Sequence, residues 1–263
     1  MKSVLVTGAE GNIGTRLRQS LAGTYDLRAL TQEPADFPSH VADIADLTAI
    51  LPAFAGIEAV VHLAASPAVE TPWADVLKNN LIGTYNVFEA ARRNGVRQIV
   101  FASSNHAVGM YEVEGAPDIY RRGSGLMVDE RAPLRPDSLY GVSKAYGEAL
   151  GRYFSEQHGL CVYCLRIGSA RRDDDPRSET VRNGPGPSWL PELSPEQRLG
   201  RLQAVWCSHA DLARLVDACL CAEQIRFGIY YAVSDVPYRF WSLDNAFADL
   251  GWRPQDRIEE NGR

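Results

Sequence analysis

Short aliphatic and β-branched runs alternate with amphipathic stretches through the first half of the chain: Ser3 to Thr7, Ile13 to Leu21, Leu27 to Leu30, then Ala59 to Leu63 and Ile99 to Ser103. Alternation of this kind predicts a parallel sheet covered by helices on both faces. Val76, Gly83, Val87 and Ala90 share one side of a long helix expected over 75–93, and a second helix is expected over 138–153. A strand over 160–167 follows. Further on, the pattern predicts a helix over 209–222, a strand over 228–233 and a last helix over 241–250. Between Arg171 and Arg201 the periodicity lapses, prolines and arginines gather around Asp173-Asp174-Asp175, and the stretch reads as a loop. No internal repeat is visible.

The expected fold class is therefore α/β, a doubly wound parallel sheet with a small C-terminal lobe. The core is expected over 1–170. Residues 171–263 would supply a loop insertion and the lobe, with about 205–233 returning to the core.

Length and composition narrow the setting. The 263 residues suit one large core with a small appendage, and 45% hydrophobic with 23% charged residues is ordinary for a globular chain. A net charge of −6 spread along the sequence argues against a nucleic-acid partner. The five cysteines lack the spacing of a disulfide framework and read as free thiols. Cys161 and Cys164 form a C-x-x-C, but on a strand they would point to opposite faces, so no metal site is expected. Met1-Lys2-Ser3 leads straight into Val4-Leu5-Val6, with no apolar run of membrane-spanning length anywhere, and a cytoplasmic location without membrane contact is the expectation.

Thr7-Gly8-Ala9-Glu10-Gly11-Asn12-Ile13-Gly14 follows the first strand and opens the first helix. Glycines there allow a tight turn and a close approach of backbone N–H groups to a pyrophosphate, while the helix N-terminus adds partial positive charge. A dinucleotide site is expected, held by Gly8, Gly11, Asn12, Ile13 and Gly14. The G-x-x-G-x-x-G spacing points to the short-chain class. About twenty residues on, an acidic residue ordinarily binds the NAD ribose hydroxyls. Thr31-Gln32 stand there instead, with Glu33 the nearest acid after them, so NAD is favoured while NADP is not excluded. Asp43 and Ile44 after the third strand, and Leu63, Ala64 and Ala65 after the fourth, complete the expected cofactor contacts.

Tyr140 and Lys144 lie at i and i+4 of a predicted helix, on one face and neighbouring turns. A phenol is a poor base at neutral pH unless a nearby cation favours its ionised form. Such pairs are common on solvated helices, but two further features accompany this one. Phe101-Ala102-Ser103-Ser104-Asn105-His106 is a strand running into hydroxyl and amide donors, with Ser104 placed to orient a substrate hydroxyl. Asn79-Asn80, polar on an otherwise apolar helix face, suggests hydrogen bonding to the active-site loop.

With these residues the chain resembles the extended short-chain dehydrogenase/reductase family from residue 1 to about 256. F-A-S-S-N-H at 101–106, L-Y-G-V-S-K at 139–144, Arg166-Ile167-Gly168-Ser169 and Leu250-Gly251-Trp252 are similar to uronate dehydrogenases, which oxidise the anomeric carbon of glucuronate or galacturonate with NAD. Pro72-Trp73, Asn79-Asn80 and Ser104 to Gly109 also look like the archaeal NAD-dependent glucose-6-phosphate dehydrogenases. The resemblance implies that Ser104, Tyr140 and Lys144 are catalytic, and that Asn80, Tyr140, Lys144 and Ile167 contact the cofactor. It further implies that Ser66, Ser104, Asn105, His106, Tyr140 and Ser169 bind the sugar while Arg201 grips its C6 anion. The substrate would be a small anionic sugar with a C6 carboxylate, phosphate or sulfonate, and the chain a homo-oligomer. The 171–200 stretch is longer than in either group, leaving two roles open: its arginines line a pocket for a larger or more strongly anionic C6 group, or the stretch is a partly ordered lid with no chemical role.

The nearest alternative is an NAD-dependent sugar epimerase, which shares the loop and the Tyr-Lys pair but needs a sizeable second lobe, whereas only about sixty residues follow Arg201. A sugar dehydratase would need an acidic pair where Asn105-His106 stand. A cofactor-sensing regulator would have no use for Tyr140 and Lys144.

Overall fold

The computed structural model describes residues 1–121 and 123–258. Seven parallel strands, β1 (Ser3–Thr7), β2 (Asp26–Thr31), β3 (His40–Val41), β4 (Ala59–His62), β5 (Gln98–Ser104), β6 (Cys161–Ile167) and β7 (Phe227–Ala232), form one sheet in the order β3-β2-β1-β4-β5-β6-β7. The order reverses direction between β1 and β4, and in open sheets of this kind ligands bind outside the carboxyl ends of the strands at that switch.

Successive side chains of a strand point to opposite faces, and here both faces are covered. Val4, Val6, Ala59, Val61, Val100, Tyr163 and Leu165 enter one apolar core; Leu5, Val60, Ile99, Phe101, Val162 and Cys164 enter the other. Cys161 and Cys164 accordingly lie on opposite sides of the sheet, as their spacing on a strand predicts.

The helices follow in chain order as α1 (Asn12–Leu21), α2 (Leu47–Ile50), α3 (Trp73–Asp75), α4 (Gly83–Arg93), α5 (Met110–Gly115), α6 (Leu139–His158), α7 (Glu179–Asn183), α8 (Pro195–Val205), α9 (His209–Cys221) and α10 (Asp244–Leu250). α1 and α9 pack together on the first face; α2, α4 and α6 cover the second.

Three expectations need correction. The helix expected over 75–93 is interrupted: between α3 and α4 the backbone makes a π-helical stretch, Val76–Ile82. Its wider turn lets neighbouring Asn79 and Asn80 both reach Ser66. The stretch read as a loop between 171 and 201 contains α7 and α8. Ser194 and Gln197 cap α8 reciprocally with Pro195 in its first turn, a local signal that the mixed proline-arginine composition obscured. This excursion leaves and rejoins the sheet at one place: Ser169 N–H donates to Val205 O (2.7 Å) and Cys207 N–H to Ser169 O (3.1 Å). The final helix, expected from 241, starts at Asp244 because Trp241 is fully buried and pairs with Val128 in an isolated bridge.

Candidate active site

The glycine turn closes over the switch point. Gly8 has φ +67°, and a Cβ there would stand 2.8 Å from the Ala64 backbone nitrogen, so no larger residue fits between the loop and the end of β4. Asn12 Nδ2 donates to Ala170 O (2.9 Å), tying the start of α1 to the chain beyond β6. Below the turn, Thr7 Oγ1 accepts from Ala64 N–H (3.3 Å) and pairs with His62 Nδ1 (2.8 Å). Burial, with a smaller contribution from the Lys144 charge, pushes His62 down to about 3, so this imidazole is neutral.

A cleft of about 830 Å³ runs over these strand ends. Gly8, Gly11, Asn12, Ile13 and Gly14 line one end with Thr31, Gln32, Asp43 and Ile44; Leu63, Ala64, Ala65 and Ser66 line its floor, and Ser104, Tyr140, Lys144, Ile167 and Ser169 its far end. The narrow approach at Gly8 and the N-terminus of α1 suit a dinucleotide pyrophosphate. Asp43 is held below its usual range, first by its hydrogen bond with Lys78, the two 2.7 Å apart.

At the far end, α6 presents Tyr140 and Lys144 beside Ser104 at the end of β5. Ser138 caps the helix by accepting from Gly141 N–H (3.0 Å), and Gly141 has no room for a side chain because the His106 carbonyl lies against it. The Lys144 ammonium donates to Ala102 O (2.7 Å) and lies 5.4 Å from the Tyr140 ring centre. Burial lowers Lys144 to about 8. Burial also pushes the Tyr140 phenol up to about 12, with its contact with the Ser104 hydroxyl working against it and the Asp137 charge adding to it. Both groups thus sit where added positive charge in the cleft would favour the phenolate.

Residues 4–170 match the model of the NAD dependent epimerase/dehydratase family. The chain belongs to this family. An NAD-dependent glucose-6-phosphate dehydrogenase of Haloferax volcanii is 38% identical, the match covering 98% of this chain and 94% of that protein. An L-arabinose 1-dehydrogenase (NAD(P)(+)) of the same organism is 36% identical over 97% of each. A uronate dehydrogenase mutant of Agrobacterium tumefaciens, solved with NAD, superposes with a TM-score of 0.79 at 31% identity, covering 98% of this chain and 86% of that one. A putative UDP-glucose 4-epimerase of Methanocaldococcus jannaschii, by contrast, matches 67% of this chain. The chain is an NAD(P)-dependent oxidoreductase of the epimerase/dehydratase family.

Several residues expected at the family's site stand behind the cleft rather than on its surface. Asn80, expected to contact the cofactor, is buried; it accepts from Ser66 N–H (2.8 Å) and donates to Ser66 O (3.1 Å) and Ser143 Oγ (3.0 Å), bracing the loop after β4. Asn105, expected to contact sugar, is buried and accepts from Ser104 Oγ (3.2 Å). His106 is held through Nδ1 by Asp137 Oδ2 (2.7 Å) and meets the rings of Tyr140 and Trp189 edge-on.

Arg201 also lies outside the main cleft. Its Nε is 2.9 Å from Glu112 Oε1, which accepts from the Tyr120 hydroxyl as well (2.9 Å). It borders an adjoining hollow of about 420 Å³ that shares Glu70 with the cleft and includes Arg171, Ser188, Trp189 and Arg198. Arg198 donates only to backbone carbonyls, those of Arg182 (3.0 Å) and Leu193 (2.6 Å), and among the described residues no carboxylate lies within ion-pair distance of it. Ser188 Oγ donates to Glu70 Oε1 (2.6 Å), bridging the excursion to the loop after β4. Glu70, Asp137, Glu112 and Arg198 were not expected from sequence; the three acids act through partners distant along the chain, Ser188, His106 and Arg201, while Arg198 is held by carbonyls of its own excursion.

Proposed function

We propose that the chain is a sugar 1-dehydrogenase that oxidises the anomeric carbon of a pyranose with an anionic C6 group to the lactone. The observation that carries this reading is the grouping of Ser104, Tyr140 and Lys144 at one end of the cleft, with an arginine-bordered hollow opening beside them. Tyr140 takes the C1 hydroxyl proton, and Ser104 steadies the oxygen as it becomes a carbonyl. Lys144, held by Ala102 O, orients the cofactor ribose and keeps positive charge near the phenol. When bound, NAD supplies the hydride acceptor and a positive ring that favours the phenolate. Ser66 and Ser169 contact sugar hydroxyls from the cleft wall. His106, set by Asp137, offers its other nitrogen to the sugar, and Asn105 acts through Ser104.

For the C6 anion, Arg198 is the better-supplied cation, because Arg201 already has Glu112 as its counter-charge. A guanidinium fork suits a carboxylate, phosphate or sulfonate. The proposal includes a cytoplasmic homodimer. Among the described residues no helix is long and apolar enough to cross a membrane. Ile82 and Tyr85 beside Val142 and Tyr153 leave large apolar groups exposed on adjacent helices, a face for a second copy. NADH formation with glucuronate, galacturonate, glucose 6-phosphate, sulfoquinovose, arabinose and glucose tests the reading. A clear preference for one anionic sugar is expected, and turnover of neutral sugars alone would remove the anion from it.

A further inference from the structure

The end of β2 holds no acid, yet a carboxylate reaches it from another element. Thr31 is buried there, its hydroxyl paired with Ser39 Oγ at 2.9 Å, and Glu33 does not border the cleft. Glu10 does. It stands between Gly8 and Gly11 in the turn after β1, and its Oε1 accepts from the Gln32 backbone N–H at 3.3 Å. In dinucleotide sites the ribose hydroxyls of NAD are bound by an acidic residue at the end of β2, where a 2′-phosphate would also have to fit. We propose that Glu10 is the specificity-determining acid of this cofactor site, accepting from the adenosine ribose hydroxyls of NAD and repelling the 2′-phosphate of NADP.

The charges around it support the assignment. Glu10 lies on the open rim, with its carboxylate directed across the cleft to β2 rather than neutralised: among the described residues no arginine or lysine is within ion-pair distance of it. Arg18, on the helix that this turn opens, is engaged elsewhere, its Nε donating to Ala9 O (3.1 Å) and its guanidinium stacked 3.3 Å over the Phe37 ring. A phosphate carrying nearly two negative charges would therefore meet an unneutralised carboxylate first. Loss of the Glu10 charge therefore removes that repulsion without changing any ion pair among the described residues. The inference concerns the nucleotide half of the site alone and does not depend on which sugar is oxidised.

The test is calorimetric binding of NAD and NADP, without sugar, to the wild-type protein, Glu10→Gln and Glu10→Ala. Gln can still accept from Gln32 N–H and so keeps the turn, while losing the charge. Wild type is expected to bind NAD at least about tenfold more tightly than NADP, and both variants to shrink that ratio by roughly tenfold, chiefly through tighter NADP binding. Equal affinity of the wild-type protein for both nucleotides would overturn the proposal, as would an unchanged ratio in Glu10→Gln. Equal weakening of both nucleotides in the two variants would overturn it too, because the carboxylate would then serve only to hold the turn.

Discussion

Replacing Glu112 by Gln isolates the buried pair at the edge of the arginine hollow. Glu112 and Arg201 have 1% and 16% of their side-chain surface exposed, and the Tyr120 hydroxyl completes the carboxylate's contacts. Gln keeps the shape and the hydrogen bond from Tyr120 but leaves the guanidinium without its counter-charge. Removing one member of a buried pair costs about 3 to 5 kcal/mol, and the residual exposure of Arg201 puts this case near the lower figure, about 3 kcal/mol. For a chain of this size that corresponds to a fall in Tm of roughly 6 to 12 °C. Urea and thermal unfolding measure it directly. The same change should make the hollow more attractive to anions, so a C6 anionic sugar should stabilise Glu112→Gln more than it stabilises the wild-type protein. A variant within about 1 kcal/mol of wild type would refute the idea that Glu112 neutralises Arg201.

Other consequences are equally specific. Tyr140→Phe should abolish turnover while leaving NAD affinity within about twofold, since only the transferred proton loses its acceptor; measurable sugar oxidation by that variant would rule Tyr140 out as the base. Because the phenol accepts a proton only when ionised and burial holds it up, kcat/KM should rise with pH above neutrality; a profile falling from pH 7 to pH 9 would contradict this. Glu148→Gln should cost about 3 to 5 kcal/mol in urea unfolding, because Glu148 accepts two bonds from the almost fully buried Arg166 and one from Ser103. His62 resists protonation down to about 3 when folded, whereas the unfolded imidazole takes up a proton below about 6.5. The unfolded state thus binds more protons between those values, and stability falls as pH drops through the window, by about 2 kcal/mol at pH 5. His62→Gln should flatten that acid limb, and parallel stability curves for the two proteins would show that His62 does not shape it.

The sheet was legible in the sequence because its central strands are buried on both faces and read as dense apolar runs, ending close to where the pattern ended them. The nucleotide turn and the Tyr140–Lys144 pair were legible because their partners lie within a few residues. What sequence hid was cooperation at a distance. Glu10 belongs to the turn by sequence yet bonds to the end of β2; Asp137 sets His106 from the loop before α6; Arg198 and Arg201 emerge on a helix from a stretch whose composition reads as loop. The signal for α8 was present in Ser194-Pro195-Glu196-Gln197, a capping sequence with proline in the first turn. The π-helical stretch at Val76–Ile82 has no comparable local signature, since it is defined by what Asn79 and Asn80 must reach.

The most direct test of the central claim follows the hydrogen rather than the rate. The preferred anionic sugar, deuterated at C1, is incubated with NAD and the protein, and the reduced nucleotide and sugar product are examined by NMR and mass spectrometry. C1 oxidation predicts that the deuterium appears on the nicotinamide ring and that the product is the unlabelled lactone. Deuterium retained on the sugar, with NADH formed from another carbon or with an epimer as product, would contradict it.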